Sequence, residues 1–438
     1  MKKVISSVIL AGMACAVFAT DARVETMGGH SNFFADETSI HKNPANMGLY
    51  DNIMYGSYGS IARNTDWTTG MDWRPEMPHF GGVISFGQKE GSPSRVSIGA
   101  TFNRVDSALN YVAFNLNELG LRTDKKGNSF LFAEKSGMLD FVGKIDLMAA
   151  YTLPNGTTIG LGGYLALQDG AARDLNPNWR NMGGDVSVKT SPKELQNRFV
   201  KGNLGVNTSI GDGTDLEASI GISALNIRGS MHSQRPDNAW EAKGFGNAAQ
   251  NDVGIEIAAR MFSDIPAING AFVPHIQANI FNYGDNDNII DFKAGLGLNV
   301  NIDRGFFWTG LEGLFNKKSY ALIKGNGSNL DEDFGRKDAI GGRIGFGIER
   351  NVLTDWFVIR VGGAKYLIKE SKGGDDWGWQ WSETDDHDHV SLGMGVNIED
   401  RLKIDFTIAQ NLPYTFTSLF SSSGNPYLAS RVSAVFTF

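Results

Sequence analysis

The densest group of side chains with metal-binding chemistry is Asp385-Asp386-His387-Asp388-His389. In an extended ribbon His387 and His389 share one face and offer two imidazoles to a zinc-type cation, but no distant third ligand completes a site, so the run reads as a solvated loop. Just before it, Trp377, Trp379 and Trp381 recur at period two, which puts three rings on one side of a strand. Such a row either stacks on sugar rings or joins the aromatic girdle where a membrane meets water, and the girdle is the commoner use. Asp285-Asn286-Asp287-Asn288 offers oxygens to calcium but lacks the spaced glycine and distal Glu of a calcium loop, so it reads as a turn. No nucleophile elbow, zinc-protease helix or phosphate loop is present, and the glycine-rich run 342–347 lies inside an alternating segment. The chain reads as a protein that is not an enzyme and carries no cofactor.

Charged residues recur instead at alternate positions of apolar segments. In 289–303, Ile290, Phe292, Ala294, Leu296, Leu298, Val300 and Ile302 form one face; Asp291, Lys293, Gly295, Gly297, Asn299, Asn301 and Asp303 form the other. That is a strand with one apolar face and one small or polar face. The pattern returns in 214–227, 340–349 and 390–399. The face opposite the apolar band carries Lys144, Asp146, Glu217, Glu256, Arg260, Asp291, Lys293, Arg343, Glu349, Lys403 and Asp405. These charges either pair across a hydrated lumen or filter a charged solute; since neither sign dominates, pairing is favoured.

Sixteen such segments follow one another, near 53–62, 79–87, 94–104, 141–153, 157–168, 197–210, 214–228, 251–263, 270–282, 289–302, 306–317, 338–349, 355–368, 388–399, 402–411 and 428–438. Most exceed the roughly 9–11 residues that cross a bilayer as a tilted strand. Short turns alternate with longer loops at 63–78, 105–140, 169–196, 229–250, 318–337, 369–387 and 412–427; only 283–288 breaks the alternation. Short turns on one side and long loops on the other are the habit of outer-membrane barrels, and a soluble sandwich would not keep one face apolar through sixteen strands. The fold class is therefore all-β: a transmembrane antiparallel β-barrel, of sixteen strands by this count, where the resemblance described below implies about fourteen and an N-terminal hatch segment.

Composition agrees. Of 438 residues, 54 are Gly and 27 Phe, charged residues make up 20%, and no later run is apolar enough for a membrane helix. The net charge of −8 argues against a nucleic-acid partner, which needs clustered Lys and Arg. Residues 1–19 read as a cleaved export signal: Lys2 and Lys3, then an apolar stretch, then small residues ending at Ala19. The single Cys, Cys15, lies within it, which leaves the mature chain without disulfides or thiolate sites. Segments 20–50 and 51–438 then form an N-terminal hatch and an outer-membrane barrel. The expected location is the outer membrane of a Gram-negative-type bacterium, in contact with its lipid.

Loop 105–140 is unusually apolar for an external loop. Leu109, Val112, Ala113, Leu116 and Leu119 follow helix-like spacing, and Phe130, Leu131 and Phe132 come after them. Two readings stand: a rim helix that presents a capture groove for an apolar ligand, lined by Leu109, Val112, Leu116, Leu119, Phe130 and Phe132, or a loop that folds inward onto its own small core.

Before the first strand, Met27-Gly28-Gly29, Phe33-Phe34-Ala35-Asp36-Glu37 and Asn43-Pro44-Ala45 show no alternation and read as a compact irregular plug. This order of elements over 23–47 resembles the FadL/TodX superfamily, which includes outer-membrane transporters of hydrophobic compounds and PorV-like secretion proteins; Gly28, Gly29, Asp36, Asn43, Pro44 and Ala45 match the motif positions. The resemblance implies about fourteen strands and a hatch shaped by Gly28, Gly29, Phe33, Phe34, Asp36, Asn43, Pro44 and Ala45. It also implies a terminal Phe438 read by the barrel-insertion machinery. In the transporter branch it implies passive uptake of hydrophobic small molecules such as long-chain fatty acids; in the other, a surface-attachment component that binds secretion-system proteins. A general diffusion porin is the third reading.

Overall fold

The computed structural model describes residues 21–29, 31–50, 52–64, 71–87, 94–109, 143–170, 189–234, 240–241, 250–283, 287–326, 329–352, 354–371, 379–381, 389–399, 401–413, 415 and 430–438. The strands are Ile53–Asn64 (β1), Met71–Phe86 (β2), Arg95–Phe102 (β3), Gly143–Thr152 (β4), Thr158–Gly170 (β5), Lys189–Ser209 (β6), Thr214–Gln234 (β7), Trp240–Glu241 (β8) and Gln250–Ile265 (β9). They continue with Gly270–Tyr283 (β10), Asp287–Ile302 (β11), Gly305–Asn326 (β12), Asn329–Asn351 (β13), Phe357–Ser371 (β14), Trp379–Trp381 (β15), His389–Ile398 (β16), Leu402–Ala409 (β17) and Arg431–Thr437 (β18).

Sixteen of these make the wall. β8 and β15 are short extra ladders beside β7 and β14, and the wall passes them because β7 pairs directly with β9 and β14 with β16. Every wall pairing is antiparallel between neighbours, and β1 closes on β18, from Ile53 opposite Thr437 to Gly59 opposite Arg431. Closure leaves the ring of wall strands without a free edge, as a backbone in lipid requires, and only the extensions of β12 and β13 beyond Lys318 and Ala339 pair on one side alone among the described pairings of those two strands. The count is sixteen, not the fourteen implied by the superfamily resemblance, because the segments near 53–62 and 79–87 are both wall strands.

The alternation places side chains as the sequence reading expects. Phe292, Leu296, Leu311, Ile344 and Ile222 point outward and exposed, while Asp291, Asn299, Glu312, Arg343 and Glu217 on the intervening positions are buried inside. An apolar outer belt around a polar interior is the arrangement of a wall solvated by lipid. At the short-turn end the chain reverses tightly, with Gly156 at φ +87° and Gly211 at +84°, a left-handed backbone that a side chain disfavours.

Two expectations need correction. The loops at 63–78 and 318–337 are mostly ladder: β12 and β13 continue to Asn326 opposite Asn329, and β2 starts at Met71. Hydrogen bonding carries these hairpins past the point where apolar alternation stops, since beyond the lipid the outward face has no reason to be greasy. The rim is therefore uneven, with 22 and 23 residues in β12 and β13 but 8 in β3, 8 in β17 and 7 in β18. The inner face is also less uniformly small or polar than its sequence implied. Ile53, Val83, Phe199 and Trp308 point inward and are buried, because the chain itself fills the lumen against them.

Candidate functional site

Residues 21–50 run inside the barrel. A short helix, Asp21–Thr26 (α1), leads into a turn at Gly28 (φ +92°) and Gly29 (φ +75°); two 3-10 turns follow at Glu37–His41 and Pro44–Leu49. A Cβ on Gly28 would lie 3.0 Å from the carbonyl oxygen of Phe346, so both its φ and its space call for glycine. Asn43 caps the second 3-10 turn by accepting from the Ala45 amide at 3.1 Å, and its side-chain amide donates to the Val206 carbonyl in β6 at 3.1 Å.

The wall is shaped to receive this segment. A Cβ on Gly160 would meet the Ala45 nitrogen at 2.2 Å and the Pro44 carbonyl carbon at 2.3 Å. Added carbons at Gly205, Gly297 and Gly362 would strike Asn43, Phe33 and the Met27–Gly28 backbone at 1.9, 2.2 and 2.4 Å. The small residues that read as one face of each strand are thus sockets. Phe33 stacks on Trp308 (5.3 Å, 21°) and meets His275 edge-on at 4.8 Å, while the Trp308 indole donates to the Met27 carbonyl at 3.0 Å. Ile40, Met47 and Tyr50 form a second buried cluster with Ile53, Val83, Met148, Ala150 and Val435.

Polar ties join the segment to the wall as well. Arg23 makes two bonds to the Glu349 carboxylate, at 2.7 and 2.8 Å; Glu349 also accepts from Arg360 at 2.7 Å, and Arg360 reaches Asp405 at 2.6 Å. Arg260 donates to the carbonyls of Ser31 and Phe34 and, at 2.7 Å, to Glu217, which also accepts from Asn46 at 2.8 Å. Several lumen charges are therefore ion pairs, and some of their partners come from the N-terminal segment. Burial, with the Asp36 carboxyl beside it, pushes Glu37 well above the usual carboxylate range. Asp36, fully buried, is also raised by burial, against the pull of its bond from Thr38.

Above this segment, toward the long loops, lies a polar chamber of about 320 Å³. Thr38, His41 and Lys42 form its floor; its roof is the chain leaving β3, which turns inward at Arg104–Ser107. Asp106 holds that roof: it is 2% exposed, pairs with Arg104 at 3.0 Å and Lys201 at 3.2 Å, and accepts from the Ala108 amide at 3.0 Å. Arg104 also pairs with Asp146 at 2.6 Å. Beside the roof, Leu109 packs into an apolar cluster with Ala108, Tyr164, Ala166, Phe199, Leu225, Phe281 and Ile289. The start of the 105–140 loop, through Leu109, thus folds into the lumen and packs on the wall; residues 110–140 lie outside the described residues.

The remaining capture residues, Val112, Leu116, Leu119, Phe130 and Phe132, lie outside the described residues, as do Trp377 and His387. Gly28, Gly29, Phe33, Phe34, Asp36, Asn43, Pro44 and Ala45 all lie in the one internal segment. The sequence reading missed Arg23, Trp308 and the pair Asp106 and Lys201. Trp308 was detectable as a bulky ring on the inward parity of its strand; Asp106 was not, because a charge at a loop start is ordinarily solvated.

No family model matches the chain, and no curated protein matches it. Among solved structures it is similar to the toluene transporter TodX of Pseudomonas putida, with 9% identity over 96% of this chain and 98% of that one and a TM-score of 0.41. It is also similar to CdiB from Escherichia coli, at 12% identity over 87% of this chain with a TM-score of 0.38; it spans only 63% of that protein's length. A third is a loop-deletion form of OmpT, an outer membrane protein of Vibrio cholerae, at 8% identity over 72% of this chain and 93% of that one, with a TM-score of 0.33. These are likenesses between barrels, and the functional reading rests on the chain's own geometry.

Proposed function

We propose that the chain is an outer-membrane channel of FadL/TodX type, closed at rest by residues 20–50 acting as a hatch. It admits hydrophobic small molecules such as long-chain fatty acids by passive diffusion and is not an enzyme. The observation that carries the reading is the buried, ion-paired and socketed N-terminal segment inside the barrel, which does not suit a permanently water-filled porin. The polar chamber favours ligands with a polar head over plain hydrocarbons. Residues 1–19 serve as the export signal and Phe438 as the mark read by the insertion machinery.

A lumen filled by residues 21–50 fits a second reading, a PorV-like scaffold that binds secreted proteins and passes no apolar solute. Uptake of labelled long-chain fatty acid and of a small sugar, compared between cells with and without the gene, separates the two. Loss of fatty-acid uptake alone supports the channel. Loss of proteins from the cell surface with unchanged uptake supports the scaffold, and loss of sugar entry supports the porin.

A further inference from the structure

A narrow crevice of about 50 Å³ runs between the N-terminal segment and the wall of β7, β9 and β10. It holds one or two particles of water size, each about 30 Å³. Its charge does not balance. Glu217 is committed to Arg260 and Asn46 at 2.7 and 2.8 Å. Arg260 uses Nε on Glu217 and Nη1 on the Ser31 and Phe34 carbonyls, which leaves Nη2 buried without a hydrogen-bond partner. Lys42 lines the same crevice. Its Nζ meets only the neutral Asn32 Oδ1, at 3.4 Å, and among the described residues no carboxylate, Asp36 included, lies within 4 Å of it. Two cations thus line the crevice with one carboxylate, Glu217, while Asp36 and Glu312 act on Lys42 only from beyond 4 Å, and the buried Nη2 donor of Arg260 has no acceptor, an arrangement that costs free energy unless something completes it.

We propose that this crevice is a binding site for one small monovalent anion, chloride- to formate-sized, held between Lys42 Nζ and Arg260 Nη2. The amides of Asn32 and Asn43 line the same space and offer neutral donors, whereas both N–H groups of Asn46 are taken by Ser39 and Glu217. A phosphate or sulfate is too large for the volume. Lys42 belongs to the N-terminal segment and Arg260 to the wall, so the anion bridges the two and tightens the closed form. Lys42 is exposed to the space between the chamber above and the crevice below; desolvation by the surrounding protein lowers its ammonium from the usual lysine range, against the pull of Asp36, and Arg260 adds to the lowering.

Bromide is the probe. Crystals of the full barrel soaked in bromide should show an anomalous peak touching both Lys42 Nζ and Arg260 Nη2, present in wild type and in Lys42→Arg and absent in Lys42→Gln. In solution bromide should raise the melting temperature of wild type more than that of Lys42→Gln, following the ligand-linkage relation. A crevice that holds only water while bromide labels other sites, or equal bromide stabilisation of wild type and Lys42→Gln, overturns the proposal.

Discussion

Glu37 is 3% exposed, and among the described residues neither of its carboxylate oxygens has a hydrogen-bond partner. Its folded value is raised, so the protonated form fits the closed structure. The stability it contributes is complete below the unfolded carboxyl value of about 4.3 and is lost as pH rises through the higher folded value. We therefore expect the melting temperature of wild type to fall across that window. Glu37→Gln should flatten the fall and raise stability at neutral pH; an unchanged pH profile in the variant would contradict this account. Residues of this kind set the limit of what the sequence made legible. The Gly-Gly turn and the Asn43-Pro44-Ala45 cap stood out because special backbone conformations need special residues. Glu37 did not, because an acid in an irregular segment reads as solvated until its burial is seen.

Under the proposed closed channel two elements hold the lumen shut, and each invites a test. Arg23 of α1 reaches the wall through Glu349, and removing one partner of a buried pair typically costs about 3–5 kcal/mol. Arg23→Met should weaken docking of the N-terminal segment by that order, read as a lower urea midpoint for the burial of residues 21–50. Arg360 stays on Glu349 and softens the loss. The inward turn after β3 depends on Asp106. Since Cys15 is the only natural cysteine, a Leu109→Cys probe is readily followed. It should resist a water-soluble thiol reagent while Asp106 is intact and react once Asp106→Asn removes the pairs to Arg104 and Lys201. Equal reactivity in both backgrounds would show that the roof is not latched there. At this scale the strands were legible from period two alone. The inward fold of 105–109 was not, since apolar spacing alone does not say where a loop starts, and its packing partners Tyr164, Phe199 and Phe281 lie far along the chain.

For the whole molecule, the closed wall followed from sixteen alternating segments, whereas the filling of its lumen did not. Alternation reports which side of a strand meets lipid; whether the other side meets water or another part of the chain depends on contacts far apart in sequence. Gly160 against Pro44 and Arg23 against Glu349 are two of these. The central claim is that residues 20–50 close the channel, and conductance of the purified protein in a planar bilayer tests it most directly. Wild type should show no sustained ion conductance. Gly160→Val, whose added carbons collide with the Pro44–Ala45 backbone, should open a steady one, while Gly202→Val, where a Cβ meets nothing within 4 Å, should behave as wild type. A wild-type protein that conducts as an open pore, or a Gly160→Val protein that inserts and stays closed, would contradict the account.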